Sequence, residues 1–215
     1  AIIIYFHREL SKLTYGLFNR NKNPNYHRLA WHIVWASFPA GIIGLLWGNL
    51  IEQELRNATF VAWNLLFWSF IFFTAERYSI NKKLTKSKIT QMTLRKVLFI
   101  GFAQAIALLP GTSRSGITIA AGLLANLSPT RAAQFSFLLG TPIIFAAGVH
   151  KTLHFLSSPI NSVHLSGVQL GIGLLVSFIV GYFSIKLLLG IVSRLGLMPF
   201  IIYRVVLATS ILIAF

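Results

Sequence analysis

The chain has 215 residues, of which 55% are hydrophobic and 11% charged, against about 25% charged in a typical soluble domain. Its mean hydropathy of +0.72 excludes an ordinary soluble globule. Lys and Arg total 19 against 4 acidic residues, but these charges lie mainly in short stretches between apolar runs, which is the positive-inside pattern and needs no nucleic-acid partner. The absence of cysteine excludes disulfides and thiol chemistry.

Residues 1–6, AIIIYF, read like the tail end of a membrane helix, without the layout of a signal peptide. A basic loop is expected over 7–28, with Arg8, Lys12, Arg20, Lys22 and Arg28. A first crossing follows at 29–48, since about 20 apolar residues span the hydrocarbon core. Residues 49–58 form a weakly acidic connection with Glu52, Glu54 and Arg56, and 59–76 cross back. A second basic loop covers 77–96, so both basic loops face the cytoplasm.

Residues 97–109 and 116–127 are each too short to span, and PGTSRSG (110–116) separates them. Two half-length apolar helices around a polar break predict a re-entrant hairpin, tolerated at membrane depth only where it lines a cavity or packs in protein. Ser128 and Pro129 suit a helix start, and this helix should cross and end near His150. Helices over 167–192 and 199–215 complete the chain. The fold class is therefore all-α and polytopic, with about five to six transmembrane helices plus the hairpin, in one domain over 1–215. Pro39 and Pro142 each interrupt a similar apolar run, which suggests an inverted repeat. The first repeat would be an incomplete one plus the basic loop (1–96), and the second (97–215) opens with the hairpin. Such symmetry implies a matching hairpin before residue 1.

The chemistry of PGTSRSG suits an anion. Pro110 and Gly111 end one helix, and the first N–H groups of the next have no intrahelical acceptor. Such an end binds phosphate. Arg114 adds a planar donor that grips phosphate oxygens bidentately. Thr112, Ser113, Ser115 and Thr118 supply hydroxyls, and Gly111 and Gly116 allow close approach. With lipid around it, the loop fits an amphiphile with a phosphorylated head. The competing reading is a surface turn whose arginine snorkels and whose small residues only permit close packing. Charged residues inside membrane segments are costly and usually functional, which favours the site.

The run LLPGTSRSGITI resembles the Pro-Gly-x-Ser-Arg-Ser-x-x-Thr signature of the bacterial undecaprenyl-diphosphate phosphatase family, which is tied to bacitracin resistance. The likeness continues through RAAQFSFLLGTPIIFAAG (131–148) and MPFIIYR (198–204). It implies an integral membrane phosphatase of the bacterial cytoplasmic membrane that converts undecaprenyl diphosphate to the monophosphate carrier of cell-wall synthesis. On that resemblance Arg114, Ser113 and Thr118 hold catalytic positions, with Gly111, Thr112, Ser115 and Gly116 binding the substrate phosphate. The family's glutamate-rich first motif has no counterpart here. A divalent metal, magnesium or calcium, is implied with ligands in that motif, so the chain itself offers no metal site. A few dozen preceding residues are expected to be missing; an inactive or repurposed relative is the alternative. The expected partners are the lipid diphosphate and the bilayer, with a homodimer left open. A polyprenyl-phosphate flippase without hydrolysis and an inactive membrane subunit are the rival functions.

Other polar residues carry lesser expectations. His150 and His154 stand four apart but read as interfacial; His32 reads as a packing or interface residue, and His164 as a loop residue. Glu76 is expected to pair locally with Arg77. Gln104, six residues before the hairpin, either faces a cavity or packs half-buried. Lys186 and Arg204 near helix ends read as snorkelling. Of the five tryptophans, Trp31, Trp35, Trp47, Trp63 and Trp68, those near helix ends fit interfacial belts. None is assigned a ligand.

Overall fold

The computed structural model describes residues 1–55, 57–82, 89–157 and 167–214 of the chain. Arg56, Lys83, Lys86, Lys88 and His164 lie outside these residues, as do the side chains of Glu52 and His154. The described secondary structure is entirely helical. It runs α1 (Ile2–Tyr5), α2 (His7–Phe18), α3 (Pro24–Glu54), α4 (Ala58–Asn81), a 3₁₀ turn (Ile89–Gln91), α5 (Leu94–Ile106), α6 (Arg114–Leu124), α7 (Pro129–Ser157), α8 (Gly167–Leu195) and α9 (Met198–Ala214). Four of these helices, α3, α4, α7 and α8, are long and apolar enough to cross a membrane. Helix α9, with 17 residues, reaches the lower end of the spanning range. The protein is an all-α, multi-pass membrane protein.

Two expected connections are shorter than the charge pattern suggested. Residues 7–18 form α2 rather than a loop. Leu10, Leu13 and Leu17 recur at helical spacing and pack on the core, so the basic residues occupy the other face of an amphipathic surface helix. Likewise α3 continues to Glu54, which shrinks the acidic connection to residues 55–57. Asn57 caps α4, its side chain accepting from the Thr59 N–H at 2.9 Å. Helix α7 begins at Pro129 as expected but runs to Ser157, past His150.

The half-length reading of α5 and α6 holds. They contain 13 and 11 residues, or roughly 20 and 17 Å at 1.5 Å per residue, well short of a ~30 Å hydrocarbon core. The hairpin is wrapped by the long helices: α5 packs on α3, and α6 on α7 and α4, while α9 packs along α4. Small residues permit these approaches. A Cβ on Gly101 would overlap the Ala36 backbone, and one on Gly122 would lie 2.8 Å from the Ala132 Cβ. Packing of this kind replaces the hydrophobic effect between helices in lipid.

The turn between α8 and α9 corrects the reading of Glu76. This carboxylate is buried, and it accepts the Leu197 N–H at 3.1 Å. Arg77 instead lies over the Phe73 ring, 5.1 Å from its centroid. Glu76 thus ties α4 to the start of α9, where an acidic group also meets the positive end of the helix dipole. Gly196 adopts φ +66°, and a Cβ there would run into the Glu76 carboxylate. Gly196→Ala is therefore expected to destabilise the protein by about 2–4 kcal/mol, from left-handed strain plus overpacking. Thermal unfolding in detergent checks this against Gly190→Ala, where the added Cβ meets nothing within 4 Å; equal melting of the two variants would refute it.

Candidate phosphate site at the hairpin

The break between α5 and α6 has an ordered backbone. The N–H groups of Ala107, Leu108, Leu109 and Thr112 each bond to a carbonyl three residues back, at 3.1 to 3.2 Å. Gly111 then takes φ +89°, and a Cβ there would lie 2.8 Å from the Val61 carbonyl oxygen. Ser113 follows at φ 71°, a conformation that costs a non-glycine residue energy and tends to cluster at functional sites. That conformation makes Ser113 the N-cap of α6. Its Oγ accepts the Gly116 N–H at 3.2 Å, and its carbonyl accepts the Ile117 N–H at 3.0 Å. Helix α6 thus starts at Arg114, two residues earlier than its apolar pattern implies.

Three side chains from other helices hold this loop. Asn64 of α4 donates to the Pro110 carbonyl at 2.7 Å and to Thr112 Oγ1 at 2.9 Å. Arg204 of α9 donates to the Gly111 carbonyl at 2.9 Å, to the Leu65 carbonyl at 3.3 Å and to Ser69 Oγ at 3.2 Å. Its guanidinium lies 5.0 Å from the centroid of the Phe72 ring, a cation–π distance. Arg204 does not snorkel: it is 8% exposed. From α7, Ser136 Oγ lies 2.6 Å from Thr118 Oγ1, which also reaches the Arg114 carbonyl at 2.8 Å.

Beside the loop lies a cavity of about 220 Å³. Ser113, Ser115, Gly116 and Arg204 line one part, and Leu188, Val192 and Phe200 of α8 and α9 contribute the apolar wall. Phe72 closes against the loop so tightly that a Cβ on Gly116 would sit 2.6 Å from its ring. The lining thus combines a few polar groups with a mostly apolar surface, as a phosphorylated head on a hydrocarbon tail requires.

The expected site residues therefore separate into two layers. Ser113, Ser115 and Gly116 face the cavity. Arg114, at the first position of α6, is exposed beside them, and its guanidinium has no hydrogen-bond or ionic partner among the described residues. The N–H groups of Arg114 and Ser115 are likewise without acceptors there, as expected of a helix start that receives an anion. Thr112 and Thr118 are fully buried and engaged with Asn64 and Ser136, so they brace the loop. Gly111 turns the chain and offers its carbonyl to Arg204.

Asn64 and Ser136 were not singled out by the sequence pattern, and Arg204 was read as snorkelling. A lone amide within the apolar run 59–75 was a usable signal, because polar groups in membrane helices face protein or cavity. Gln104 is buried, and neither its Oε1 nor its Nε2 has a partner; it does not line this cavity. Among the described residues no group of three His, Cys, Asp or Glu side chains converges to hold a metal ion. His150 lies inside α7 and is exposed.

The two-layer arrangement makes a specific prediction. If Ser136 Oγ serves only Thr118 Oγ1, Thr118→Val and Ser136→Ala should each cost about 1–2 kcal/mol, and the double variant should cost no more than Thr118→Val alone. Unfolding of the three variants in detergent measures this. Additive losses would show that the two hydroxyls serve separate partners.

Comparison with known proteins gives a consistent family. A family model described as Bacitracin resistance protein BacA matches residues 1–210. An undecaprenyl-diphosphatase of Saccharophagus degradans is 39% identical over 213 residues, covering 98% of this chain and 77% of its own length. Undecaprenyl-diphosphatase 2 of Stutzerimonas stutzeri is 35% identical over 218 residues, covering 100% of this chain and 79% of its own length. An undecaprenyl-diphosphatase of Aliivibrio salmonicida is 39% identical over 217 residues, covering 99% and 78%.

Proposed function

We propose that this chain, which belongs to the BacA bacitracin resistance family, uses the α5–α6 hairpin as the phosphate site of an undecaprenyl-diphosphatase. The protein is a membrane phosphatase that hydrolyses undecaprenyl diphosphate, releasing inorganic phosphate and returning the lipid carrier as its monophosphate. The observation that carries the hairpin reading is an unpaired arginine at the start of a helix, next in sequence to Ser113 and Ser115, which line a mostly apolar cavity walled by Leu188, Val192 and Phe200.

Hydrolysis breaks the bond between the bridging oxygen and the terminal phosphorus, and a water oxygen takes its place. Negative charge gathers on the bridging oxygen and on the terminal phosphoryl oxygens. Arg114 supplies a fixed positive charge and paired N–H donors to those oxygens. The free N–H groups of Arg114 and Ser115 and the hydroxyls of Ser113 and Ser115 complete the cradle. They are pre-aimed because the loop is fixed by Asn64 and Arg204 before substrate arrives. The prenyl chain follows the apolar wall into the bilayer. Glu76 is held by the Leu197 N–H and takes no step. The described residues form no metal-ligating cluster.

Arg28 near the start of α3 and Arg77 and Lys82 around the end of α4 support a cytoplasmic position for these helix ends, in a bacterial cytoplasmic membrane. Prolines within α3 and α7 support two related halves.

The direct test is phosphate release from undecaprenyl diphosphate by the purified protein in detergent, with magnesium, with calcium and with chelator. Release under any of these supports the reading. A folded protein that binds the lipid diphosphate but releases no phosphate under all three would replace it with a carrier of polyprenyl phosphates.

A further inference from the structure

A second cavity, of about 500 Å³, opens at the other end of the hairpin, where Leu94 begins α5. Its lining joins Arg20, His27, Arg28 and His32 to Trp31 and Trp35. The phosphatase reading uses none of these residues. Arg20 has no described partner. Arg28 spends one N–H on the Thr90 carbonyl at 3.2 Å, which fixes its guanidinium at the cavity and leaves its other donors free. His27 is oriented by a bond between Nδ1 and the Gly16 carbonyl at 2.8 Å, which frees Nε2. His32 Nδ1 is buried and has no partner.

The apolar side of the cavity continues as a stripe. Trp31, Trp35, Phe38, Ile42 and Leu45 recur at intervals of four and three, which places them on one face of α3. All five are exposed, Leu45 at 79%, and Trp35 stacks on Phe38 with centroids 5.5 Å apart. The stripe runs from the basic collar toward the hydrocarbon region. Tryptophan at such a boundary sits naturally at headgroup depth.

We infer that this cavity binds an anionic phospholipid of the bilayer, with its phosphate between Arg20 and Arg28 and an acyl chain along the α3 stripe. Charge complementarity selects the acidic lipid over a zwitterionic one. Residues 7–28 and 94–96, which form this end, carry Arg8, Lys12, Arg20, Lys22, Arg28, Arg95 and Lys96, and Glu9 is the one carboxylate among them. A choline or ethanolamine ammonium would meet cations there. Arginine pairs grip phosphate oxygens in a planar fork.

The test is tryptophan quenching in vesicles, with dibrominated phosphatidylglycerol or dibrominated phosphatidylcholine in a phosphatidylcholine background. The component lost in a Trp31→Phe/Trp35→Phe variant isolates the site. That component should be quenched at a mole fraction of phosphatidylglycerol at least about fivefold lower than of phosphatidylcholine, the preference conferred by one interfacial basic residue. In Arg20→Gln/Arg28→Gln the ratio should fall to about one, with phosphatase activity in phosphatidylcholine unchanged. Arg20→Gln alone, a residue without described contacts, should lower the ratio without touching the fold. Equal quenching by the two lipids in the unmodified protein would overturn the inference, as would a preference that survives the double substitution. Loss of the preference on adding millimolar inorganic phosphate would assign the cavity to a free anion and overturn it as well.

Discussion

Arg114→Ala is expected to lower hydrolysis of undecaprenyl diphosphate by about 10³-fold, the scale on which a single arginine stabilises a phosphoryl-transfer transition state. Its fold should survive. The side chain is exposed and has no partner among the described residues, so removing it leaves no buried group unpaired, and stability should stay within about 0.5 kcal/mol. Arg114→Lys keeps the charge but not the planar pair of donors, and should remain at least about tenfold below the parent. Phosphate release and thermal unfolding on the same preparations check both halves. A variant that loses activity only by unfolding would remove Arg114 from the chemistry, and one that keeps full activity would remove the hairpin.

The opposite coupling is expected of Arg204→Leu, where activity and stability should fall together. Arg204 is the donor to the carbonyls of Gly111 and Leu65 and to Ser69 Oγ. Substitution strands these acceptors in a buried setting, at about 1–3 kcal/mol for each group left without a partner. A loss of about 3 kcal/mol or more in unfolding free energy is therefore expected. The Gly111 turn loses its brace from α9, so hydrolysis should fall by at least about tenfold even at temperatures where the variant is folded, since small misplacement of a positioning group carries a large rate cost. Arg204→Lys should recover part of the stability, because one ammonium cannot span all three acceptors from the position of the fork. A stable Arg204→Leu variant with reduced turnover would show that the residue contacts substrate and does not brace the loop.

The contrast between these arginines marks what a sequence reveals. Arg114 was legible because it interrupts an apolar run together with proline, glycines and hydroxyls, all within seven residues. Arg204 sits in YRVVLATSILIAF, near the start of a helix, where snorkelling explains a cation equally well. Its burial depends on Ser69, Leu65 and Gly111, which are separated from it by 135, 139 and 93 residues, and no local pattern encodes such partners. The same holds for Glu76. Its neighbour Arg77 suggested a pair, yet its partner is the Leu197 N–H, 121 residues away.

The helices themselves were readable from apolar length, and the half-helices around PGTSRSG were placed to within three residues at the outer start and the break. Helix α2 is hard to see in sequence because the charges of 7–28 mask a leucine spacing of three and four. Thr112 and Thr118 show the reverse limit. Their type and position suit phosphate binding, but which side of α6 meets the cavity depends on α4 and α7. Packing turns both hydroxyls inward to Asn64 and Ser136 and leaves Ser113 and Ser115 at the cavity.

The claim that the hairpin receives the diphosphate is tested most directly by amide hydrogen exchange with a non-hydrolysable lipid diphosphonate bound to the full chain in detergent. The account predicts new protection at the amides of residues 111–117, with weaker protection along 197–204, and none of it in Arg114→Ala. Protection confined to other helices, or unchanged exchange at 111–117 with ligand demonstrably bound, would contradict it.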